Sequence, residues 1–185
     1  MTTTGNPSVV LEYGSTLEVF PFPVDEVSLL GALTDLFEQW WESIGFGTLV
    51  QGAAWEIRAP GPPERIGMYD GYVTVDFGDW HFHICIGEHT ESGPELGRIR
   101  RVARAELYRG LGPDAAPTTW GFRMFNGEDT QLITVLLPNP FLSDGQRPLA
   151  EPDFSRLAAW DHLRRRYLGL DADPRDRVGT RFSHG

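Results

Sequence analysis

Residues 72–86 read YVTVDFGDWHFHICI and give the clearest indication of local structure in this chain. Apolar and polar residues alternate on both sides of Gly78-Asp79, and this dipeptide suits a two-residue hairpin turn. The pattern therefore predicts two antiparallel strands. Because a short turn fixes the register, the pairing runs outward from the turn until Tyr72 lies opposite Cys85.

This register separates two chemically different faces, because successive side chains of a strand point in opposite directions. One face is apolar and is predicted to join the core. The polar face pairs His81 with Asp76, His83 with Thr74, and Cys85 with Tyr72. A slip of one residue would exchange the faces, so the agreement in character supports the register. We predict that the polar face forms the functional site.

A divalent transition metal is the ligand that this face favours. Neutral imidazole and thiolate bind zinc, iron, copper and nickel, and zinc is the metal we prefer. Three of the five histidines and the only cysteine lie within residues 81–89. The predicted metal ligands are His81, His83, Cys85 and His89. Positions i and i+4 of a strand are about 13 Å apart, so His81 and Cys85 reach one ion only if the strand bends.

The residues around these ligands are candidates for catalysis and substrate binding. The predicted catalytic residues are Glu88, Asp76 and Tyr72. Glu88 would act as general base on a metal-bound water, while Asp76 would orient His81 through its other ring nitrogen. The predicted substrate-binding residues are Arg123, Thr74 and Arg98. Arginines here favour an anionic small molecule, and Arg123 interrupts an apolar run, where a charge needs a partner.

The expected function is that of a small metalloenzyme that uses activated water, as a hydrolase or lyase, or oxygen chemistry. Two other interpretations of the same residues stay open. In the first, a metal-free enzyme or small-molecule binder uses His81 or His83 with Asp76 as acid or base, and Cys85 as a nucleophile. In the second, an accessory binding protein holds a structural ion.

Outside the hairpin, the pattern indicates three helices and a second hairpin. The first helix begins after the N-cap Asp25 and ends before Gly45, and the others span residues 94–109 and 153–168. The second hairpin joins residues 119–125 to 130–137. We therefore predict an α+β fold, with a single antiparallel sheet of about five strands and two or three helices packed mainly on one face.

Length and composition indicate one domain in a chain of 185 residues. We expect a flexible leader at residues 1–15, the α+β domain at 16–170 and a polar tail at 171–185. The sequence shows no signal peptide and no run long enough to cross a bilayer, which favours a cytoplasmic protein without a membrane partner. A net charge of -10 argues against nucleic acid. The oligomeric state stays open, a homo-oligomer included.

Overall fold

The computed structural model describes residues 6–12, 14–50 and 52–182. Within these ranges the chain is mostly β-sheet. In chain order the strands are β1 Ser8–Glu12, β2 Ser15–Phe22, β3 Gly45–Gly47, β4 Leu49–Val50, β5 Ala53–Ala54, β6 Arg65–Tyr69, β7 Tyr72–Asp76, β8 His81–Cys85, β9 Arg104–Leu111, β10 Pro117–Phe125 and β11 Gln131–Leu136. They form a six-stranded sheet in the order β1-β2-β9-β10-β11-β3, a three-stranded sheet β6-β7-β8 and the pair β4-β5.

The prediction of a single five-stranded sheet with helices on one face was therefore wrong. Three sheets of six, three and two strands form instead, together with three α-helices in the described part of the chain. The main reason lies in residues 94–109, which were predicted as one helix. They divide into a short helix and the strand Arg104–Leu111, which lies between β2 and β10 in the large sheet.

Strand β9 shows why the helical prediction failed. Ala105 and Leu107 belong to the main core, whereas Glu106 and Tyr108 face the other side of the sheet. This is a period of two, but an eight-residue stretch with polar residues near its ends also fits a helical pattern. Pairing with neighbours on both sides satisfies the backbone of the strand, and only the tertiary structure provides those neighbours.

The helices follow the local signals more closely. The first, α1, spans Glu26–Gln39, and its predicted N-cap is confirmed, because Asp25 accepts a hydrogen bond from the Ser28 N–H at 2.9 Å. The second, α2, spans Gly93–Arg100. The third, α3, spans Ala158–Leu163, between a 3-10 turn at Phe154–Leu157 and a π-helical turn at Arg164–Leu168. No helix in the described ranges has both the length and the apolar character needed to cross a bilayer.

The central hairpin forms as its alternation predicts. Strands β7 and β8 pair from Tyr72 opposite Cys85 to Asp76 opposite His81, so the predicted register is confirmed. The apolar face of this hairpin joins the main core, in which α1, α3 and one face of the large sheet also pack. The polar face of the three-stranded sheet therefore points away from that core.

Parts of both terminal segments pack against the large sheet. Strand β1 pairs with β2, although it falls within the stretch expected to be a leader. Near the other end, a short 3-10 helix spans Pro174–Arg177 and contains Asp176, which is 1% exposed. Its carboxylate accepts hydrogen bonds from the indole N–H groups of Trp120 and Trp160 at 2.9 and 2.8 Å. The segment after α3 is thereby attached to β10.

Candidate active site

Two of the predicted metal ligands lie side by side on the open face of the three-stranded sheet. His81 and His83 are exposed, and their ring centroids are 4.8 Å apart. Nδ1 of His83 lies 2.8 Å from Oγ1 of Thr74, its cross-strand neighbour. Asp76 accepts the N–H of Gly78 at 3.0 Å and so closes the hairpin turn. The orienting contact predicted between Asp76 and His81 does not form among the described hydrogen bonds.

The other two predicted ligands are separated from this pair. Cys85 is 3% exposed, its sulfur lies 3.8 Å from the carbonyl oxygen of Gly87, and burial raises the pKa of the thiol. His89 is 8% exposed, and its ring meets the edge of the Tyr72 ring at 5.0 Å between centroids. Across residues 6–12, 14–50 and 52–182, no three His, Cys, Asp or Glu side chains are grouped so that they could hold a metal ion.

Arg123, predicted to bind substrate, has its charge fully engaged inside the protein. It is 6% exposed, and its Nε donates to Glu106 at 2.6 Å. Its two terminal nitrogens donate to Glu12 at 3.0 and 2.8 Å. The buried charge of Arg123 is therefore paired with two carboxylates, as its place in an apolar run requires. Its guanidinium is not available to a ligand. Arg98 and Glu88 are exposed, on α2 and after β8 respectively.

A different set of residues forms a hydrogen-bonded chain beside Tyr72. Oδ2 of Asp70 lies 2.7 Å from Nδ1 of His89, and Nε2 of the same ring lies 2.8 Å from Oγ of Ser92. Arg100, at the end of α2, donates from Nη1 to Oγ of Ser92 at 2.7 Å. This is the order carboxylate, imidazole, hydroxyl that characterises serine hydrolases.

The bonding capacities of these groups determine where the protons lie. An ionised carboxylate only accepts, so the Nδ1–H of His89 donates to Asp70 and Nε2 is left with a lone pair. A guanidinium only donates, so Nη1 of Arg100 is a donor to the Ser92 oxygen at 2.7 Å and, at the longer distance of 3.3 Å, to Nε2 of His89. The shorter contact to Nε2 is the one from Ser92, at 2.8 Å, and we assign the hydroxyl proton of Ser92 to it. This assignment places a base next to a hydroxyl, as nucleophilic catalysis requires.

Asp70 holds its position through a tight turn. Asp70 and Gly71 join β6 to β7 with φ values of 41° and 80°, the left-handed pair of a two-residue hairpin. A Cβ on Gly71 would lie 2.5 Å from the carbonyl oxygen of Glu88, so glycine allows the segment after β8 to approach the turn. The contact brings Asp70 within reach of the loop that carries His89.

The charge of Asp70 is stabilised by that same loop. Its Oδ1 accepts the N–H and the hydroxyl of Thr90 at 3.0 and 2.8 Å, and Oδ2 accepts the N–H of Glu91 at 3.3 Å. These hydrogen bonds, the backbone N–H of Thr90 first among them, lower the pKa of Asp70 to about 2. The carboxylate is therefore ionised at neutral pH, as its role beside an imidazole requires.

Ser92 departs from the usual behaviour of a residue at a helix start. It occupies the N-cap position of α2, where a serine normally accepts a backbone N–H of the first turn, but its side chain makes no such bond. Its oxygen instead lies next to Nε2 of His89 and accepts a hydrogen bond from Arg100. When an N-cap serine does not cap its helix, the departure from the local rule often indicates a functional role for the side chain.

A pocket at the edge of the large sheet is a second place where a ligand could bind, but its polar side chains are already hydrogen-bonded. It has a volume of about 490 Å³ and is lined in part by Asn139 and Arg156. Arg156 donates to the Asn139 carbonyl at 3.0 Å and to Asp144 at 2.6 Å. Asn139 donates to the Thr118 carbonyl at 2.7 Å. The polar groups of this pocket are therefore occupied by hydrogen bonds within the protein. We identify the Asp70–His89–Ser92 chain, which places an imidazole next to a hydroxyl, as the candidate active site.

The sequence pattern predicted His89 as a metal ligand and Tyr72 as a catalytic residue, and it did not single out Asp70, Ser92 or Arg100 as site residues. The signal for Asp70 was present, because Asp-Gly between two alternating runs is a strong hairpin marker. Ser92 precedes Gly93-Pro94 and could have been read as an N-cap. Neither signal indicates that these side chains converge on His89, since they come from a turn and a helix start.

The fold and the site define a mostly β-sheet protein with an Asp–His–Ser hydrogen-bonded chain beside its smaller sheet. The chain belongs to a family of unknown function, DUF7676, whose model matches residues 7–169. No curated protein matches it. The matched range includes Asp70, His89, Ser92 and Arg100.

Proposed function

We propose that the protein is a metal-free serine hydrolase that cleaves small acyl esters. Ser92 is the nucleophile, His89 the general base and Asp70 the group that orients the imidazole. The observation that carries the proposal is the continuous hydrogen-bonded chain from Asp70 Oδ2 to Ser92 Oγ, with contacts of 2.7 and 2.8 Å. With the ring neutral and Asp70 ionised, Nε2 accepts, and its shorter contact is the one to Ser92 Oγ at 2.8 Å, against 3.3 Å to Nη1 of Arg100.

The first half of the reaction forms an acyl-enzyme. The Ser92 oxygen attacks the ester carbonyl carbon and passes its proton to Nε2 of His89, while the carbonyl electron pair moves to the oxygen. Nη1 of Arg100 lies 2.7 Å from the attacking oxygen, and we infer that it shifts its hydrogen bond to the adjacent carbonyl oxygen as negative charge develops there. When the carbonyl re-forms, the carbon–oxygen bond to the leaving alcohol breaks, and that oxygen takes the proton from His89.

Water completes the cycle by the same steps. It attacks the acyl carbon, gives a proton to Nε2 of His89, and expels the Ser92 oxygen, which recovers its proton from the ring. The products are a carboxylic acid and an alcohol. Ser92 is half-buried, so we infer small, accessible esters as substrates.

Metal-free acid–base chemistry by a histidine was one interpretation that the sequence left open. The structural support now lies with His89 and Asp70, because His89 alone among the predicted ligands touches both a carboxylate and a hydroxyl. The metal-dependent hydrolase receives less support, since no three of its four predicted ligands are grouped around one point in the described ranges. Cys85 is a poor nucleophile here, because burial raises its thiol pKa.

A fluorophosphonate probe tests the proposal directly. Attack by a serine oxygen forms an oxygen–phosphorus bond and releases fluoride, and only an activated serine reacts rapidly. We expect labelling at Ser92, together with slow hydrolysis of 4-nitrophenyl acetate, and the loss of both in Ser92→Ala. Ser155→Ala is the matched control, because the hydroxyl of Ser155 donates directly to Asp153 at 2.6 Å and, among the described residues, forms no hydrogen bond to an imidazole.

Labelling of Ser92 no faster than of Ser155 would contradict the proposal. Full esterase activity in Ser92→Ala would do the same. In either case, the hydrogen bonds around Asp70 would serve only to hold the loop after β8 against the hairpin.

A further inference from the structure

His81 and His83 are not used by the proposed hydrolytic site, and they present two imidazoles to solvent. The Nδ1 of His83 is engaged by Thr74 at 2.8 Å, so Nε2 points outward as the available ligand atom. With zinc–nitrogen bonds of about 2.0 Å at a tetrahedral angle, two imidazoles bound to one ion would have centroids about 5 Å apart. The observed separation is 4.8 Å.

The pair supplies only half of a zinc site. Structural zinc has four protein ligands, and no third His, Cys, Asp or Glu is grouped with these two in the described ranges. The missing ligands must come from water or from another molecule. Position in the sheet favours another molecule, because β8 is an edge strand.

The free edge of β8 is defined by its hydrogen-bonding pattern. The Phe77 N–H donates to the Trp80 carbonyl and the Ile86 N–H to the Gly71 carbonyl, so the even-numbered residues of β8 bond to β7. The backbone groups of His81 and His83 therefore face outward. Further along the same edge, the Cys85 carbonyl is already taken by the Val102 N–H at 2.8 Å. Two residues of open edge remain, and both are histidines.

We propose that His81 and His83 form half of a zinc site that is completed by the same two residues of a second copy of this chain. The two β8 strands pair antiparallel about a two-fold axis at Phe82, so that His81 of each copy faces His83 of the other. This register uses the outward backbone groups of both residues and makes four hydrogen bonds. Its four imidazoles lie on one face of the joined sheet, with cross-strand Cβ atoms about 5 Å apart.

Each contribution alone is weak, which makes the association depend on zinc. Two residues of strand pairing cannot hold together two chains that each carry a net charge of -10. Two imidazoles on one chain bind zinc incompletely, and the dication offsets part of the repulsion. The dimer therefore forms only when strand pairing and zinc binding act together, and removal of zinc returns the protein to monomers.

Sedimentation velocity on untagged protein, first stripped with EDTA and then titrated with zinc, tests the inference. We expect monomers without zinc, dimers with one zinc per two chains, and a return to monomers when EDTA is added. His81→Ala and His83→Ala should each abolish the dimer. Thr74→Val keeps both imidazoles but removes the contact to His83 Nδ1, and should weaken zinc binding about 10-fold. His162→Gln is the control, because His162 is bonded to Asp35 on another surface.

One zinc bound per monomer, an absence of zinc binding, or a zinc-dependent dimer that survives His83→Ala would each overturn the inference. None of these outcomes involves Ser92 or His89, so this inference and the proposed hydrolase can fail independently. Circular dichroism of the alanine variants checks that these exposed substitutions leave the fold intact.

Discussion

Asp70 and His89 are nineteen residues apart in the chain, but Oδ2 of Asp70 lies 2.7 Å from Nδ1 of His89. Asparagine at position 70 would tolerate the left-handed turn but would lack the negative charge that fixes the tautomer of the ring. We expect Asp70→Asn to lower kcat/KM for 4-nitrophenyl acetate on the order of 10²- to 10⁴-fold. Asp79→Asn, in the exposed turn of the next hairpin, is the control, and equal rates in the two variants would contradict the role.

The same carboxylate gives a pH-dependent contribution to stability. Its pKa is lowered from 3.8 to about 2 in the folded protein, so folding favours the ionised form. The contribution is complete above the unfolded value and disappears as the pH falls from about 4 through 2. We expect the urea midpoint of the wild type to exceed that of Asp70→Asn at neutral pH, with the difference shrinking over this window. A difference that does not change with pH would show that the charge is not involved.

Arg123 is expected to matter for stability and not for substrate binding. Arg123→Ala leaves Glu106, which is 5% exposed, with Arg104 at 2.8 Å as its remaining cationic partner, so we expect the lower end of the usual range. Removing one member of a buried ion pair typically costs about 3 to 5 kcal/mol, measurable by urea unfolding. Arg147→Ala, at an exposed position, should change stability by less than about 0.5 kcal/mol. A raised KM at unchanged stability would restore the substrate-binding role predicted from the sequence.

Asp176 should be necessary for the packing of the segment after α3. Asp176→Ala leaves two buried indole N–H groups without acceptors and removes one partner of Arg109, which donates to Asp176 at 2.8 Å. We expect a loss of about 3 to 5 kcal/mol in unfolding free energy and a change in tryptophan fluorescence. Asp171→Ala, whose side chain is 94% exposed, should behave like the wild type. Equal stability of the two variants would mean that the segment contributes little.

Cys85 should react slowly with thiol reagents while the protein is folded. Burial raises the pKa of its thiol, so the thiolate is scarce at neutral pH and is also covered. DTNB should label it much more slowly in buffer than in concentrated urea. Rapid labelling of the folded protein would revive Cys85 as a nucleophile.

The predictable part of the fold was the part governed by near neighbours in the chain. The register of β7 and β8 follows from a two-residue turn and the alternation on either side of it. The N-cap at Asp25 follows from a single side chain and the next turn of backbone. Strand β9 was missed because its central place depends on β2, which lies more than eighty residues earlier. Local periodicity carries no information about that partner.

The candidate site also has a part that follows from near neighbours in the chain and a part that depends on long-range contacts. That the histidines of β8 share a polar face follows from the order of the residues alone, because successive side chains of a strand alternate between its two faces. The contacts of His89 with Asp70 and Ser92, and those of Arg123 with Glu106 and Glu12, depend on how separate elements pack. Those contacts join a turn, a loop and separate strands, and such contacts form only when the elements pack together.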